Sequence, residues 1–123
     1  MNQKVITELP RFVQNTLNHL YEIERKLALH GDTAAVQRNV DRIKQSFADE
    51  GLFYEDPMGQ PFAETRTDLD ASISGESTDD LVVTEVIKPV IRLGTREYSR
   101  VVQKGIVVVK SRNDAVKEEG DAQ

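Results

Sequence analysis

The chain carries two histidines and no cysteine. An imidazole can serve as a general base or a metal ligand, but it needs a nucleophile, a carboxylate or a second ligand beside it. His19 and His30 lie eleven residues apart on or beside one helical stretch and read as surface or interface residues. Asp68 with Asp70, and Asp79 with Asp80, offer paired carboxylates that could hold a cation. The ligand spacing of a calcium loop does not surround them, so they read as exposed loop acids. Gly51, Gly59 and Gly75 stand too far apart to cradle a phosphate. With no nucleophile–base arrangement, the expectation is a protein that is not an enzyme and uses no metal or cofactor.

Charge is the chemistry the sequence does offer. Residues 49–85 hold eleven acids and one base, Arg66, a net of −10; residues 86–112 hold seven bases and one acid, Glu97, a net of +6. In one reading the acidic loop and the basic segment complement each other. In a sharper one, a basic hairpin face meets an acidic partner. Lys88, Val90 and Arg92 alternate on one side of a first strand, and Arg96, Tyr98 and Arg100 on one side of a second. The two-residue period of a strand places these bases on a common face if the register pairs them.

The element that must position them is residues 81–110, rich in Val and Ile, whose branched side chains suit a pleated, half-buried surface. A strand is expected at about 84–93 and its antiparallel partner at about 96–103. They are joined through Leu93-Gly94-Thr95-Arg96, with Gly94 at the positive-φ position of a type II′ turn. Ile106–Val109 extends the second strand or forms a third. Gly105 predicts a bulge or bend. Pro89, without an N–H, confines the first strand to an edge or an irregular position.

Earlier in the chain the period changes to that of helices. Thr7 or Glu8 near a cap and Pro10 in the first turn open a helix over about 9–29. Its stripe is Val13, Leu20 and Leu27 at seven-residue spacing, with Thr16 and Ile23 between them and Phe12 and Leu17 beside them. Gly31 stops it, and Asp32 or Thr33 caps a second helix with a Val36, Val40, Ile43, Phe47 face. So short a loop makes an antiparallel hairpin, and two hairpins can bury one another as a dimeric four-helix bundle. The expected dimer contacts are Val13, Leu17, Leu20, Ile23, Leu27, Val36, Val40, Ile43 and Phe47. Modest apolar content, 38%, with 6% aromatics and no Trp, adds to the case for a homodimer.

Residues 52–62 contain Pro57, Gly59 and Pro61 and read as a turn, with Phe53 and Phe62 as anchors onto a core. The reading is therefore α+β: helical hairpin 1–50, linker and acidic loop 51–80, small antiparallel β unit 81–112, disordered tail 113–123. The absence of a spanning apolar run, a signal core or cysteines predicts a soluble cytoplasmic protein without membrane contact.

Asp56, Pro57, Gly59, Pro61 and Phe62 (D-P-x-G-x-P-F), followed by Val83-Thr84-Glu85-Val86, Leu93-Gly94-Thr95-Arg96, Arg100 and Val107-Val108-Val109-Lys110, resemble the GrpE family. These are the nucleotide exchange factors of DnaK-type chaperones, and the resemblance spans roughly residues 8–111. It implies a stress-response co-chaperone for protein folding, a homodimer whose β domain binds the chaperone's ATPase domain and speeds ADP release. Carried over by position, Arg96 and Val109 would face the chaperone; Lys88, Arg92 and Arg100 join them from the charge pattern. Asp56, Pro57, Gly59, Pro61 and Phe62 have a structural role.

Three departures stand out. Almost nothing precedes residue 8, where family members carry a long stalk helix. Ile87-Lys88-Pro89 replaces the family's Gln-Lys-Gly, while Gln103-Lys104-Gly105 falls in a later strand. Thr67-Asp68-Leu69-Asp70-Ala71 stands where the family has His-Glu-Ala. The first two favour a rival reading, a dimeric adaptor or scaffold of the same fold without exchange activity. A nucleic-acid binder is the other rival, opposed by the −10 loop and by Tyr98 being the single stacking residue of the hairpin.

Overall fold

The computed structural model of the protein describes residues 8–32 and 35–121, residues 117–121 by their backbone alone. Pro10 is extended (φ −59°, ψ 142°), and its carbonyl accepts the N–H groups of Val13 and Gln14 at 3.1 Å, opening α1 (Arg11–His30). Thr7, one of the two expected caps, lies outside the described residues. At the other end Gly31, φ 85°, donates its N–H to the Leu27 carbonyl. Asp32 then caps α2 (Val36–Asp49), its carboxylate accepting from Val36 at 2.6 Å and Gln37 at 2.9 Å. The alternative cap, Thr33, is also outside the described residues.

The strands follow as β1 (Leu52–Glu55), β2 (Leu69–Ile73), β3 (Leu81–Lys88), β4 (Val90–Gly94), β5 (Ser99–Gln103) and β6 (Gly105–Ser111), and α3 (Arg112–Asp121) ends the described chain. They form two three-stranded sheets, β1-β4-β5 and β2-β6-β3. The chain divides into two units: residues through Tyr54 with Ile91–Val102, and Glu55–Val90 with Gln103 onward. The hairpin expected at 1–50 thus shares its unit with β4 and β5, and the β region is split between the two units.

In the first unit, Leu17 of α1 packs with Leu52, Ile91 and Leu93 of the sheet, with Val13, Phe47, Tyr54 and Val102 around them. This corrects the dimer list: Leu17, Leu20 and Val40 are buried within the chain itself. Val13, Leu27, Val36 and Phe47 are half-buried, while Ile23 and Ile43 remain exposed. Tyr21, unmentioned by the stripe, is buried and meets Tyr54 edge-to-face at 5.8 Å. A polar hub ties the elements together. Glu24 accepts from Tyr54 at 2.9 Å, from Lys44 at 3.1 Å through both oxygens, and from Gln37 at 2.9 Å. Partial burial pushes the Glu24 pKa up, but these three hydrogen bonds outweigh it and hold the carboxyl below its ordinary value. Burial, and then the Glu24 carboxylate, push the Tyr54 phenol well above its own.

In the second unit β6 is the central strand. Its alternate residues Gly105, Val107, Val109 and Ser111 are buried, the pattern of a strand with one inward face. β3 pairs with it antiparallel, Leu81 opposite Ser111 and Val86 opposite Val107. β2 pairs parallel, Leu69 opposite Gly105 and Ile73 opposite Val109. The expected all-antiparallel unit is therefore mixed, because β2 returns along β6 from the acidic loop. Gly105 lies in register rather than at a bulge. A Cβ there would come within 2.8 Å of the Leu69 side chain and 3.0 Å of Val90, so glycine answers a close approach. The irregularities fall instead on β3, between Val83 and Glu85 and between Val86 and Lys88.

Pro89 breaks what the sequence reads as one strand over 84–93. It is buried, and its carbonyl accepts from Gln103 Nε2 at 2.9 Å. Asp56 Oδ1 caps the following turn through the Met58 N–H at 3.0 Å, and Pro57 is buried. Gly59 and Phe62 donate to the carbonyls of Val83 and Leu81, and Pro61 bridges Val82, so this segment is laid along β3. Phe53 and Phe62 are only half-buried; Leu52 and Pro57 take the core positions assigned to them. Of the tail expected to be disordered, 113–123, residues through Asp121 belong to helix α3, and residues 122–123 lie outside the described residues. The helix start is held by Arg112, which donates to the Asp80 carboxylate at 3.1 Å and through its backbone to the Asp80 carbonyl.

Candidate partner-binding surface

The turn between β4 and β5 is longer than the two-residue turn expected. Thr95 donates its backbone N–H to the Tyr98 carbonyl at 2.9 Å, and the Thr95 hydroxyl accepts the Tyr98 N–H at 3.0 Å. Gly94 starts it at φ 134°, where a side chain would strike the Tyr98 carbonyl oxygen. The bonds close a four-residue loop, Thr95–Tyr98, which carries Arg96, Glu97 and Tyr98 on exposed positions; Tyr98 is 84% exposed. Arg96 lies over the Phe53 ring at 5.7 Å, a cation–π contact that leaves the edge of its guanidinium for hydrogen bonding.

The alternation that nominated the other bases does not hold along the chain. Val90 is buried while Lys88 is exposed, so Pro89 has interrupted the alternation that would have aligned Lys88 with Arg92. Arg92 is half-buried and, like the exposed Arg100, has its own partner within the chain. Val109 is fully buried on the inner side of β6 and cannot be a contact residue for any partner. Placing it on the binding surface is an error of face, since the period of two puts Val107 and Val109 inward together.

Part of the charge asymmetry is spent internally. Lys104 approaches Asp70 at 3.8 Å, Arg112 pairs with Asp80, and Arg66 forks onto both oxygens of Asp68 at 3.0 and 2.7 Å. The Asp68 carboxylate thus serves an ion pair. His19 and His30 are exposed, with His19 3.8 Å from Glu22. Among the described residues, Lys88 and Arg96 have no carboxylate partner, and no cluster of metal-ligating side chains occurs. Nor, among them, is any helix long and apolar enough to cross a membrane.

No family model matches the chain, and neither the curated proteins nor the solved structures contain a significant match.

A sequence-based search missed the surroundings of Arg96. Phe53 reads as a core anchor, and Tyr54 carries no motif. The one signal for them is the strand-like run Leu52-Phe53-Tyr54, masked by the prolines that follow it.

Proposed function

We propose that the protein is a GrpE-like co-chaperone that binds the ATPase domain of a DnaK-type chaperone and promotes ADP release. The observation that carries this reading is the exposed Thr95–Tyr98 turn, whose Arg96 has no carboxylate partner among the described residues, within the order of elements that carries the resemblance. Two helices come first, then the Asp56–Phe62 segment laid along a strand, then a β region closed by β6. An exchange factor does no covalent chemistry. It binds the open form of its partner more tightly than the closed form and shifts the population by that difference alone. Arg96 supplies a planar, permanently charged donor for an acidic surface. The cytoplasm is where such a chaperone would be met.

Dimerisation belongs to the same proposal. With Leu17, Leu20 and Val40 used internally, the faces left for a second copy are Ile23 and Leu27 on α1 and Val36 and Ile43 on α2. Exposed Ile23 (45%) and Ile43 (43%) are large apolar side chains whose coverage would be favourable.

The test is release of a fluorescent ADP analogue from a DnaK-type ATPase domain, with and without the protein. Acceleration that Arg96→Glu abolishes, with far-UV circular dichroism unchanged, is the expected result. No acceleration by a folded wild-type protein would overturn the exchange reading. Burial of Val109, one of the two positions carried over from the family, favours a second reading in that event: an adaptor of the same fold without exchange activity.

A further inference from the structure

A cleft of about 260 Å³ opens in the first unit beside β1. Its apolar lining is Leu17, Phe47 and Leu52, of which Leu17 and Leu52 are buried. Asp41, Gln45 and Ala48 contribute one face of α2, at steps of four and three, and Phe53 and Arg96 complete the wall. Pockets that enclose a small organic ligand or cofactor run to about 300–1,000 Å³. This one is of a size for one or two amino-acid side chains.

The polar groups around it are unequal. Lys44 also lines the cleft, but its ammonium is engaged by both oxygens of Glu24 at 3.1 Å and lies 4.9 Å over the Tyr54 ring. Asp41 already accepts from Gln37 Nε2 at 2.9 Å, and its negative charge repels an anion from that wall. Arg96 is the one cation of the lining without a carboxylate among the described residues, and its guanidinium carbon lies 5.7 Å from the Phe53 ring centroid. A guanidinium takes a carboxylate with two parallel N–H donors, and its planar fork loses less entropy per hydrogen bond than a flexible ammonium does. The half-buried Phe47 and Phe53, one exposed Arg fork and an acid that excludes a second anion from its wall together describe a selective receptor.

We propose that this cleft is a docking site for a linear peptide segment of a partner protein, in which a Glu or Asp adjoins a bulky apolar residue. The apolar side chain enters against the half-buried Phe47 and Phe53, the adjoining carboxylate lies on Arg96, and Asp41 and Gln45 take backbone or side-chain N–H donors. The chemistry goes beyond nucleotide exchange, for the site would recognise a short acidic–apolar motif whatever the fold that carries it.

The test uses the full chain and a fluorescein-labelled peptide repeating Glu-Leu-Asp-Phe, with a Gln-Leu-Asn-Phe repeat as the uncharged control. Polarisation should report saturable binding of the acidic peptide and at least tenfold weaker binding of the control. In 15N-labelled protein its addition should move the amide signals of Ala48 and Phe53 and the Arg96 Nε–H. Ala48→Phe, which fills the mouth from an exposed position without touching Arg96 chemistry, should weaken the peptide at least tenfold while leaving the ADP-release assay unchanged. Arg96→Gln should erase the preference for the acidic peptide, a readout that holds even if Ala48→Phe misfolds. Absence of binding, signals that move only away from the cleft, or equal affinity for both peptides would each overturn the proposal. Arg96 serves both readings, so Ala48→Phe is the variant that separates them: loss of peptide binding with ADP release intact belongs to the cleft alone, and failure of the wild-type protein to accelerate ADP release leaves the peptide titration to be judged by itself.

Discussion

Gly94 controls how Arg96 is presented, and replacing it offers a sharp stability experiment. At φ 134° the backbone occupies a region that side-chain-bearing residues rarely enter, and holding alanine there costs about 1–3 kcal/mol. About 0.4–1 kcal/mol of that is returned, because alanine has fewer unfolded conformations to lose. The second cost is contact. The new Cβ would clash with the Tyr98 carbonyl oxygen and sit 2.9 Å from the Ser99 Cα, both backbone atoms that cannot swing aside. The loop must open, and the Thr95–Tyr98 hydrogen bonds at 2.9 and 3.0 Å are its closure. Each is worth about 0.5–1.5 kcal/mol. Gly94→Ala should therefore lose about 2–5 kcal/mol. Gly59 is the control: its φ is +80°, but nothing lies within 4 Å of where a Cβ would be. Gly59→Ala should then lose only the strain, about 1–2 kcal/mol after the return from the unfolded chain. Urea unfolding followed by far-UV circular dichroism measures both. Equal losses for the two variants would refute the argument that the turn is closed against a side chain.

The remaining predictions concern the hub, the core and the helix faces. Because the folded Glu24 pKa lies below its unfolded value, its contribution is present above the ordinary glutamate range and is lost as pH falls through the folded value. Melting temperature should drop more between about pH 5 and pH 3 for wild type than for Glu24→Gln, and parallel curves would remove Glu24 from the ledger. Leu17→Ala should cost about 2–5 kcal/mol by urea unfolding, since Leu17 is 1% exposed. Phe12→Ala, at a position 72% exposed, should cost less than about 0.5 kcal/mol, and similar values for the two would mean that α1 is turned the other way. Leu20→Asp places an unpaired charge at a buried site and should unfold the paired helices rather than merely separate subunits. Ile23→Asp should instead halve the mass seen by light scattering without loss of ellipticity. A dimer unchanged by Ile23→Asp would place the interface elsewhere.

The sequence by itself determined what is local. The period of 3.6 wrote α1 and α2 to within a few residues of their ends, because one helix face must be apolar and Gly31 and Asp32 can stop one helix and cap the next. Val- and Ile-rich runs marked β3, β4 and β6, and Pro89 announced a break because it has no N–H to give. Arg96 on an exposed turn was legible from Gly94 alone. Tertiary structure decided what those surfaces meet. An apolar stripe states that a helix face will be buried, not whether a sheet of the same chain or a second chain buries it; Leu17 went to Leu52, Ile91 and Leu93. Alternation says that Val107 and Val109 share a side and leaves open which side is inward; the fold turns that side inward, against the partner-facing place that the resemblance implies for Val109. The parallel return of β2 along β6 and the joining of Glu24, Lys44 and Tyr54 depend on chain closure over tens of residues. No short-range pattern encodes such closure. It is selected by the packing and hydrogen bonding that only the assembled fold provides.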